Sequence, residues 1–585
     1  MLVRIQAGLQ RYAASYGTYM TEEQMRGELD KLEIVLEYDK ENAEMAHRLG
    51  KLAITLGDWR KAIGVLSQYV DSEYLPVLRD LGVAICKLYG ANPDSPGYRQ
   101  GQKYLEAAST PPNRDADALA SLAGTWKEID EDKARELYRQ AFEVDPSDPY
   151  PLGNYLEYEI SYQRNTSLVS LMRPMIDTAI RRCRDCADVG MNMPWAFYDI
   201  GKFYLFLGKP YESFAAYAKA VQLSTAEFMI DTSLKSLDRL TIVKNELKGH
   251  EWVRRLLLVG RATKFPTDEA TEEVKKLASL EHNLITSPVV IVAGGCDASV
   301  EQQMQSYCRL MVKAFQDFKG TIISGGTTAG ISGLVGEVME NYPDAIQTIG
   351  YVPGQTPAEV SIDKRYSEIR YTEGEDFSPL EALQYWVDLI AGGVHPSQIK
   401  LLGINGCNIA AAEYRIALAL GAYVAIIEES GREAAKLLSD NDWSTSERLM
   451  VLPNDGIIVR AFIGSESTEL APDTWENIAQ REIVAQAIHD DYRHVRSSSL
   501  VSEDPSMAEW NRLRENLKES NRQQADYILE KLRQIGCRAH QVTGRDIELM
   551  TFTENEIEMM AEMEHASTRR QKFLTPFYAL SGYPV

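Results

Sequence analysis

The sequence predicts a multidomain chain with an all-α N-terminal array, a central α/β region on a parallel sheet, and a mainly helical C-terminal region. Three observations carry this reading. Apolar residues recur at helical spacing through residues 1–250, with few strand-like runs. From Val289 to Ile427 short apolar runs alternate with amphipathic ones, and glycine clusters stand between them, the pattern of a sheet covered on both faces. From Ala471 onward the helical spacing returns. At 585 residues the chain is too long for a single core.

The N-terminal region contains pieces of a helical-hairpin repeat. One unit runs from Leu52 through Gly57-Asp58-Trp59 and Ala62 to Tyr69. A second holds Ala134, Tyr138, Ala141, Phe142 and Pro146, the last three at the spacing with which a tetratricopeptide repeat closes its second helix. A third runs from Gly201 to Gly208 and on through Ala215, Tyr217, Ala218 and Ala220. Small residues let paired helices approach and aromatic ones fill the groove between pairs. The irregular period predicts a tetratricopeptide-like solenoid over 1–250, of the kind that presents a long surface to a protein partner. Residues 251–287 are read as a lead-in ending at Thr286-Ser287-Pro288.

The α/β region is assigned to 288–466. Strands are expected near Val289–Ala293, Thr321–Ser324, Ala345–Tyr351, Ile399–Gly403, Tyr423–Ile427 and Leu449–Leu452. Helices are expected near Val300–Phe318, Ile331–Asn341, Pro379–Ala391 and Ile409–Leu420. The C-terminal helical region is placed at 472–575, with 576–585 as a tail. One helix is expected from Trp475 to Arg493. Capping-box spacings open two more, at Ser520/Gln523 and at Thr553/Glu556, and Ser497–Pro505 reads as a polar loop.

Composition narrows the function classes. A formal net charge of -23 argues against a nucleic-acid partner, which needs a concentrated basic face. The most apolar long stretch, Leu401 to Ile427, is interrupted by Asn405, Asn408, Glu413 and Arg415, so no membrane span is expected. The opening Met1-Leu2-Val3-Arg4-Ile5-Gln6 lacks the apolar stretch of a secretory signal. Seven cysteines, an odd number over a long chain, fit a reducing compartment, and a cytoplasmic location is expected.

The candidate site lies in the turns after the strands. Gly294-Gly295 follow the first. Ser324-Gly325-Gly326-Thr327-Thr328-Ala329-Gly330-Ile331-Ser332-Gly333 follows the second. Gly403-Ile404-Asn405-Gly406 follows Lys400-Leu401-Leu402. A glycine-rich turn between strand and helix exposes main-chain amides at the positive end of a helix dipole, which suits phosphate. The spacing Gly326-x-x-x-Gly330-x-x-Gly333 is neither the dinucleotide fingerprint nor a P-loop, which excludes the usual ATP-hydrolysis signature. The bland alternative is that these glycines only make tight turns. The hydroxyls of Ser324, Thr327, Thr328 and Ser332 favour a ligand, since they add donors for phosphate or ribose. Near the start of the following helix, Glu413 is placed to accept from ribose hydroxyls and Arg415 to meet phosphate.

These motifs, together with Ala412-Glu413-Tyr414-Arg415, resemble the SLOG superfamily over about 290–465. That group includes the Lonely Guy cytokinin-activating phosphoribohydrolases and the cytosolic ligand-sensing region of melastatin-type TRP channels. The stretch with Trp510-Asn511-Arg512-Leu513, Lys518 to Ala525, Phe552-Thr553, Glu556-Ile557-Glu558 and Met563-Glu564-His565 resembles a ryanodine-receptor (RyR) repeat domain. The N-terminal helices resemble the TRAFs-binding, tetratricopeptide-like region found beside such modules.

The resemblance implies a prokaryotic sensor of a nucleotide-derived signal, ADP-ribose-like or a cyclic nucleotide, with antiviral defence as a setting. It also implies a homo-oligomer or a protein partner for residues 1–250, and no required cofactor. The family's hydrolases carry Pro-Gly-Gly-x-Gly-Thr-x-x-Glu at the second cluster. Here Cys407, Ile409 and Ala410 replace the second Gly, the third Gly and the Thr, while Glu413 keeps the carboxylate. The alternative is therefore an N-glycosidic-bond hydrolase with Glu413 as its catalytic group, and a third reading is an interaction scaffold. Past Glu564-His565 the RyR-like aromatic is replaced by Ala566-Ser567-Thr568-Arg569-Arg570.

Other titratable groups give no site. Cys183-x-x-Cys186 has no second pair at ligand spacing and is expected on a solvated helix, so no zinc site is expected. His489, His494 and His565 are expected in packing or surface roles.

Overall fold

The computed structural model describes residues 22–464 apart from 73, 111–114 and 279–284, together with 478–496, 505–510 and part of 513–563. These fall into two compact units. One is formed by the described residues up to 278 with Ser378–Pro396 and Arg415–Gly421. The other is formed by those from 285 to 377 with Ser397–Tyr414 and those from 422 onward.

The first unit is helical. Its N-terminal run is α1 (Glu22–Tyr38), α2 (Ala43–Thr55), α3 (Trp59–Leu66), α4 (Pro76–Leu88), α5 (Pro96–Ser109), α6 (Ala116–Trp126) and α7 (Glu131–Val144). It continues through α8 (Pro149–Gln163), α9 (Ser167–Asp188), α10 (Trp195–Phe206), α11 (Pro210–Leu223), α12 (Glu227–Leu240), α13 (His250–Lys264) and α14 (Asp268–Leu277). Side-chain caps begin many of them, such as Asn42 on Met45 N, Asp58 on Lys61 N, Ser95 on Tyr98 N and Asp130 on Lys133 N. Helices pack in consecutive pairs, α4 with α5, α6 with α7, and α10 with α11. Small residues set the spacing as expected: a Cβ on Gly201 would come within 2.5 Å of the Tyr217 ring, and Ala134, Tyr138 and Ala141 are fully buried.

The stretch read as a lead-in is two helices, α13 and α14. Both pack on α18 (Pro379–Ala391), where Arg255 donates to Gln384 Oε1 at 3.1 Å and Gln384 donates to Leu277 O at 3.0 Å. Cys183 and Cys186 lie on α9, and Cys183 is buried, so that helix is amphipathic and not wholly solvated.

The second unit is a seven-stranded, all-parallel sheet in the order β4-β3-β2-β1-β5-β6-β7. The strands are β1 (Val289–Gly294), β2 (Gly320–Ser324), β3 (Ile346–Pro353), β4 (Glu368–Thr372), β5 (Ile399–Ile404), β6 (Tyr423–Ile427) and β7 (Leu449–Leu452). Buried β1, β5 and β6 read as continuous apolar runs because both faces are covered.

The expected helix over 300–318 is broken into α15 (Glu301–Ser306) and α16 (Cys308–Ala314), with Tyr307 between them. Beyond it come α17 (Gly330–Asn341), α19 (Asn408–Leu420), α20 (Arg432–Ser439) and α21 (Gly456–Gly464). The core joins strand residues such as Val290, Ile322 and Leu402 to Met311, Phe315, Leu334, Val335 and Phe462 on the helices. Lys400, buried on β5, donates to Ile463 O at 2.9 Å, which satisfies its ammonium inside the unit.

In the C-terminal stretch α22 spans Ile478–Arg496, and Ala485, Trp510, Leu513 and Ala525 share a small core. His489 is buried with Nε2 2.8 Å from Ala508 O. The Thr553/Glu556 capping box is present, with Thr553 N donating to Glu556 at 2.7 Å and Glu556 N donating to Thr553 Oγ1 at 3.3 Å. Ser520, Gln523 and His565 lie outside the described residues. No described helix is long and apolar enough to cross a membrane.

Asp80 on α4 shows what the helical unit depends on. It is buried between His47, at 2.8 Å, and Arg79, at 2.9 Å. Burial opposes its ionisation, yet the His47 hydrogen bond and the Arg79 charge outweigh burial and lower the carboxyl to about 2. A depressed carboxyl stabilises the fold above its unfolded value of about 4, and that stability is lost as pH falls toward the folded value. Asp80→Asn is expected to cost about 2 kcal/mol at neutral pH and to flatten the acid limb between roughly pH 4 and 2. Hydrogen exchange of α4 amides in the full chain against pH checks this; an unchanged acid limb refutes it.

Candidate ligand-binding site

Strand order places the site. The chain steps outward from β1 through β4, then returns to the other side of β1 as β5, so β1 lies between β2 and β5. Parallel sheets bind ligands beyond the carboxyl ends of the strands at such a switch. The turns after β1, β2 and β5 all leave from this end.

The first helix opening, at α17, is filled from within. Gly330 N donates to the Glu301 carboxylate at 2.8 Å, and Ile331 N donates to Gly295 O at 3.0 Å. Gly330 takes φ +56°, and a Cβ there would fall 2.2 Å from Gly295 O, so only glycine fits. The neighbouring turn is strapped by the loop between β3 and β4. Thr328 N donates to Ser361 O at 3.0 Å, Thr327 bridges Ile362, and Asp363 N donates to Gly326 O at 3.0 Å. Tyr366 adds a hydroxyl bond to Ser332 O at 2.9 Å.

The hydroxyls divide accordingly. Ser324 Oγ turns inward to Val292 O at 2.8 Å, and Ser324, Thr327 and Ser332 are buried, whereas Thr328 is exposed. Close backbone approach accounts for Gly294, Gly326 and Gly333, which face Ile404 O, Gly350 and Thr328 O respectively, while Gly325 faces the Ser332 hydroxyl.

The second opening, at α19, differs. Ala411 N bonds to Cys407 O, but the amides of Asn408, Ile409 and Ala410 donate no hydrogen bond to any described residue. A helix of 13 residues therefore begins with unpaired donors, an arrangement that attracts anions.

The turn that presents these amides is rigid. Asn405, buried at φ +65°, donates through Nδ2 to Ser430 O at 2.7 Å and to Gln303 at 3.2 Å, and its Oδ1 accepts from Gly406 N at 2.8 Å. Tyr414 Oη donates to Asn405 O at 3.1 Å, its ring fitting over Gly403, where a Cβ would meet it at 2.8 Å. Gly406, at φ +111°, leaves room for the same ring, since a Cβ there would lie only 2.9 Å from Tyr414 Oη.

Cys296 borders this opening. It reaches solvent, yet burial is the main cause raising its thiol to about 11, with the Glu413 charge and Cys407 adding to the rise. A side chain that is both wet and crowded lies in a crevice. Its Sγ is 3.7 Å from Ser332 Oγ, so the crevice brings together Cys296, Ser332, Cys407 and Glu413. At the rim Arg432 pairs with Asp297 and donates to Ser299 Oγ at 2.7 Å. A raised thiol is protonated at neutral pH and a poor nucleophile, so Cys296 is suited to lining the crevice and not to covalent chemistry.

The structure thus places Gly294, Gly295, Asn405, Gly406, Glu413 and the α19 amides around one crevice. Arg415 clusters with the helical unit. Sequence reasoning missed Glu301, Gln303, Ser430 and Arg432, along with the 361–366 strap, all of which reach the site from distant loops without a local motif.

Residues 287–463 match the family model described as SLOG in TRPM, prokaryote. The match supports a SLOG domain there. No curated protein matches the chain. Among solved structures, a lysine-to-methionine mutant of the Thermobaculum terrenum O-GlcNAc transferase is similar at 11% identity over 85% of this chain and 98% of that one. Its TM-score is 0.16, which carries no argument.

Gly330→Ala is expected to destabilise the SLOG domain by about 2 kcal/mol, from its left-handed backbone and the clash with Gly295 O. Calorimetric melting of the full chain checks this; a transition unchanged within error counts against the geometry.

Proposed function

We propose that the SLOG domain binds a nucleotide-derived small molecule, ADP-ribose-like or a cyclic nucleotide, with its phosphate on the α19 opening. The observation that carries this is the set of unpaired amides at Asn408–Ala410, held beside the Cys296–Glu413 crevice at the sheet's switch point. In this reading Glu413 accepts from ribose hydroxyls and Cys296 walls the crevice. The flanking tetratricopeptide-like and RyR-like regions report the bound state to a protein partner or a second copy, in a cytoplasmic signalling role such as antiviral defence.

The test follows from the geometry. Proline is well tolerated at the first position of a helix, so Asn408→Pro removes one orphan donor without breaking an intrahelical bond. Calorimetry with ADP-ribose derivatives and cyclic nucleotides is expected to find a ligand binding below millimolar. Asn408→Pro should weaken it about tenfold, the worth of one charge-assisted hydrogen bond, with little change in melting. If no member of the panel binds, the reading fails.

Glu413, a carboxylate facing the same crevice, favours a second reading in which an N-glycosidic bond is hydrolysed with its help. Release of free base or nicotinamide by the purified protein, abolished by Glu413→Gln, distinguishes catalysis from sensing.

A further inference from the structure

Away from the SLOG domain, the helical unit gathers cations where the first helices of successive pairs meet. The helices α4, α6, α8, α10 and α12 touch in a chain of contacts, with α8 against α6, α10 and α12. The array also returns on itself. Thr225 Oγ1 donates to Thr55 O at 2.9 Å, and the Trp59 and Phe228 rings lie 4.8 Å apart. The face formed by these first helices is thereby enclosed.

The charges on this face do not balance. Glu157 on α8 is wholly buried, and both Lys202, at 2.8 Å, and Arg239, at 2.7 Å, bind it, with Ser236 donating at 2.5 Å. One carboxylate therefore serves two cations. Lys127, following α6, has no ion pair among the described residues: it donates to the neutral Asn154 Oδ1 at 3.0 Å and lies 5.2 Å from the Tyr138 ring centre. Lys87, in the last turn of α4, likewise has no ion pair there and lies 5.2 Å from the Phe228 ring centre. The nearby Asp231 is already held by Arg261 at 2.7 Å.

Burial first, then the neighbouring Lys202, Arg239 and Lys87 charges, drive the Lys127 ammonium down to about 8 against the pull of Glu157. Helix C-termini offer only about half a negative charge each, less than two ammonium groups need. The carboxylates of Asp117, Asp148 and Asp199 lie toward the other side, where mutual repulsion and burial raise them, so they do not neutralise this end.

We propose that Lys87 and Lys127 form a second binding site, inside the helical unit, for an oxyanion group of a small ligand, a phosphate or a carboxylate. The enclosed face favours a small molecule over a long chain, and Lys127 and Lys87 supply point charges while Asn154 and the aromatic rings orient them. This site is independent of the SLOG reading.

Site-resolved lysine acylation of the full-length protein, read by mass spectrometry, tests it with inorganic phosphate and tetraglutamate as separate probes. Either probe at millimolar concentration is expected to slow acylation of Lys127 at least fivefold, while exposed lysines such as Lys436 are unaffected. Protection by phosphate alone identifies a phosphorylated ligand, and protection by tetraglutamate alone identifies a carboxylate ligand. Lys87→Met should abolish the protection and Lys87→Arg should restore it, with unchanged circular dichroism showing that both variants fold. Absence of protection by both probes, or protection that persists in Lys87→Met, overturns the proposal.

Discussion

The arrangement of the α/β unit depends on the Gly295 peptide. Its N–H reaches Ile404 O at 3.2 Å, tying β1 to the end of β5, and its carbonyl accepts from Ile331 N at the start of α17. That approach is possible only because Gly330 has no side chain. One peptide thus closes the first helix opening and brings the second beside β1. With Glu301 completing the closure, anion-binding capacity is left to α19, where the main-chain donors remain unpaired. Two openings of similar sequence character acquire opposite roles from their surroundings.

Much of the fold was legible because burial on both faces leaves a plain mark. The strands β1, β5, β6 and β7 are uninterrupted apolar runs, and their expected positions agree with the observed ones to within a residue. The edge strand β4, Glu368-Ile369-Arg370-Tyr371-Thr372, escaped because half-covered edges alternate polar and apolar residues and include charge. The break at Tyr307 escaped because the apolar period continues across it. In the site, glycine identity was readable but its cause was not. Most of those glycines answer to backbone crowding, and the hydroxyls of Ser324 and Ser332 serve the turn itself. The difference between a donor aimed outward and one already bonded lies in contacts from loops 30 to 130 residues away, such as Glu301 to Gly330 and Arg432 to Asp297. No local pattern encodes these.

The helical unit manages its buried charge differently from the SLOG domain. Lys400 on β5 finds a main-chain carbonyl, whereas Glu157 is ringed by two cations and a hydroxyl contributed by neighbouring helices. Replacing any one of these partners strands the others in a poorly hydrated interior, which is costlier than never having buried them. Such a cluster ties α8, α10 and α12 together by chemistry that apolar packing alone does not specify.

Helical arrays whose members touch only their neighbours lose structure from the ends inward. The bond from Thr225 to Thr55 spans 170 positions and changes that behaviour. With terminus and middle joined, the early helices cannot peel away singly, because their departure also uncovers Phe228 and the Lys87 end of α4. The array melts as a closed hoop, and its first helices are held by residues translated much later.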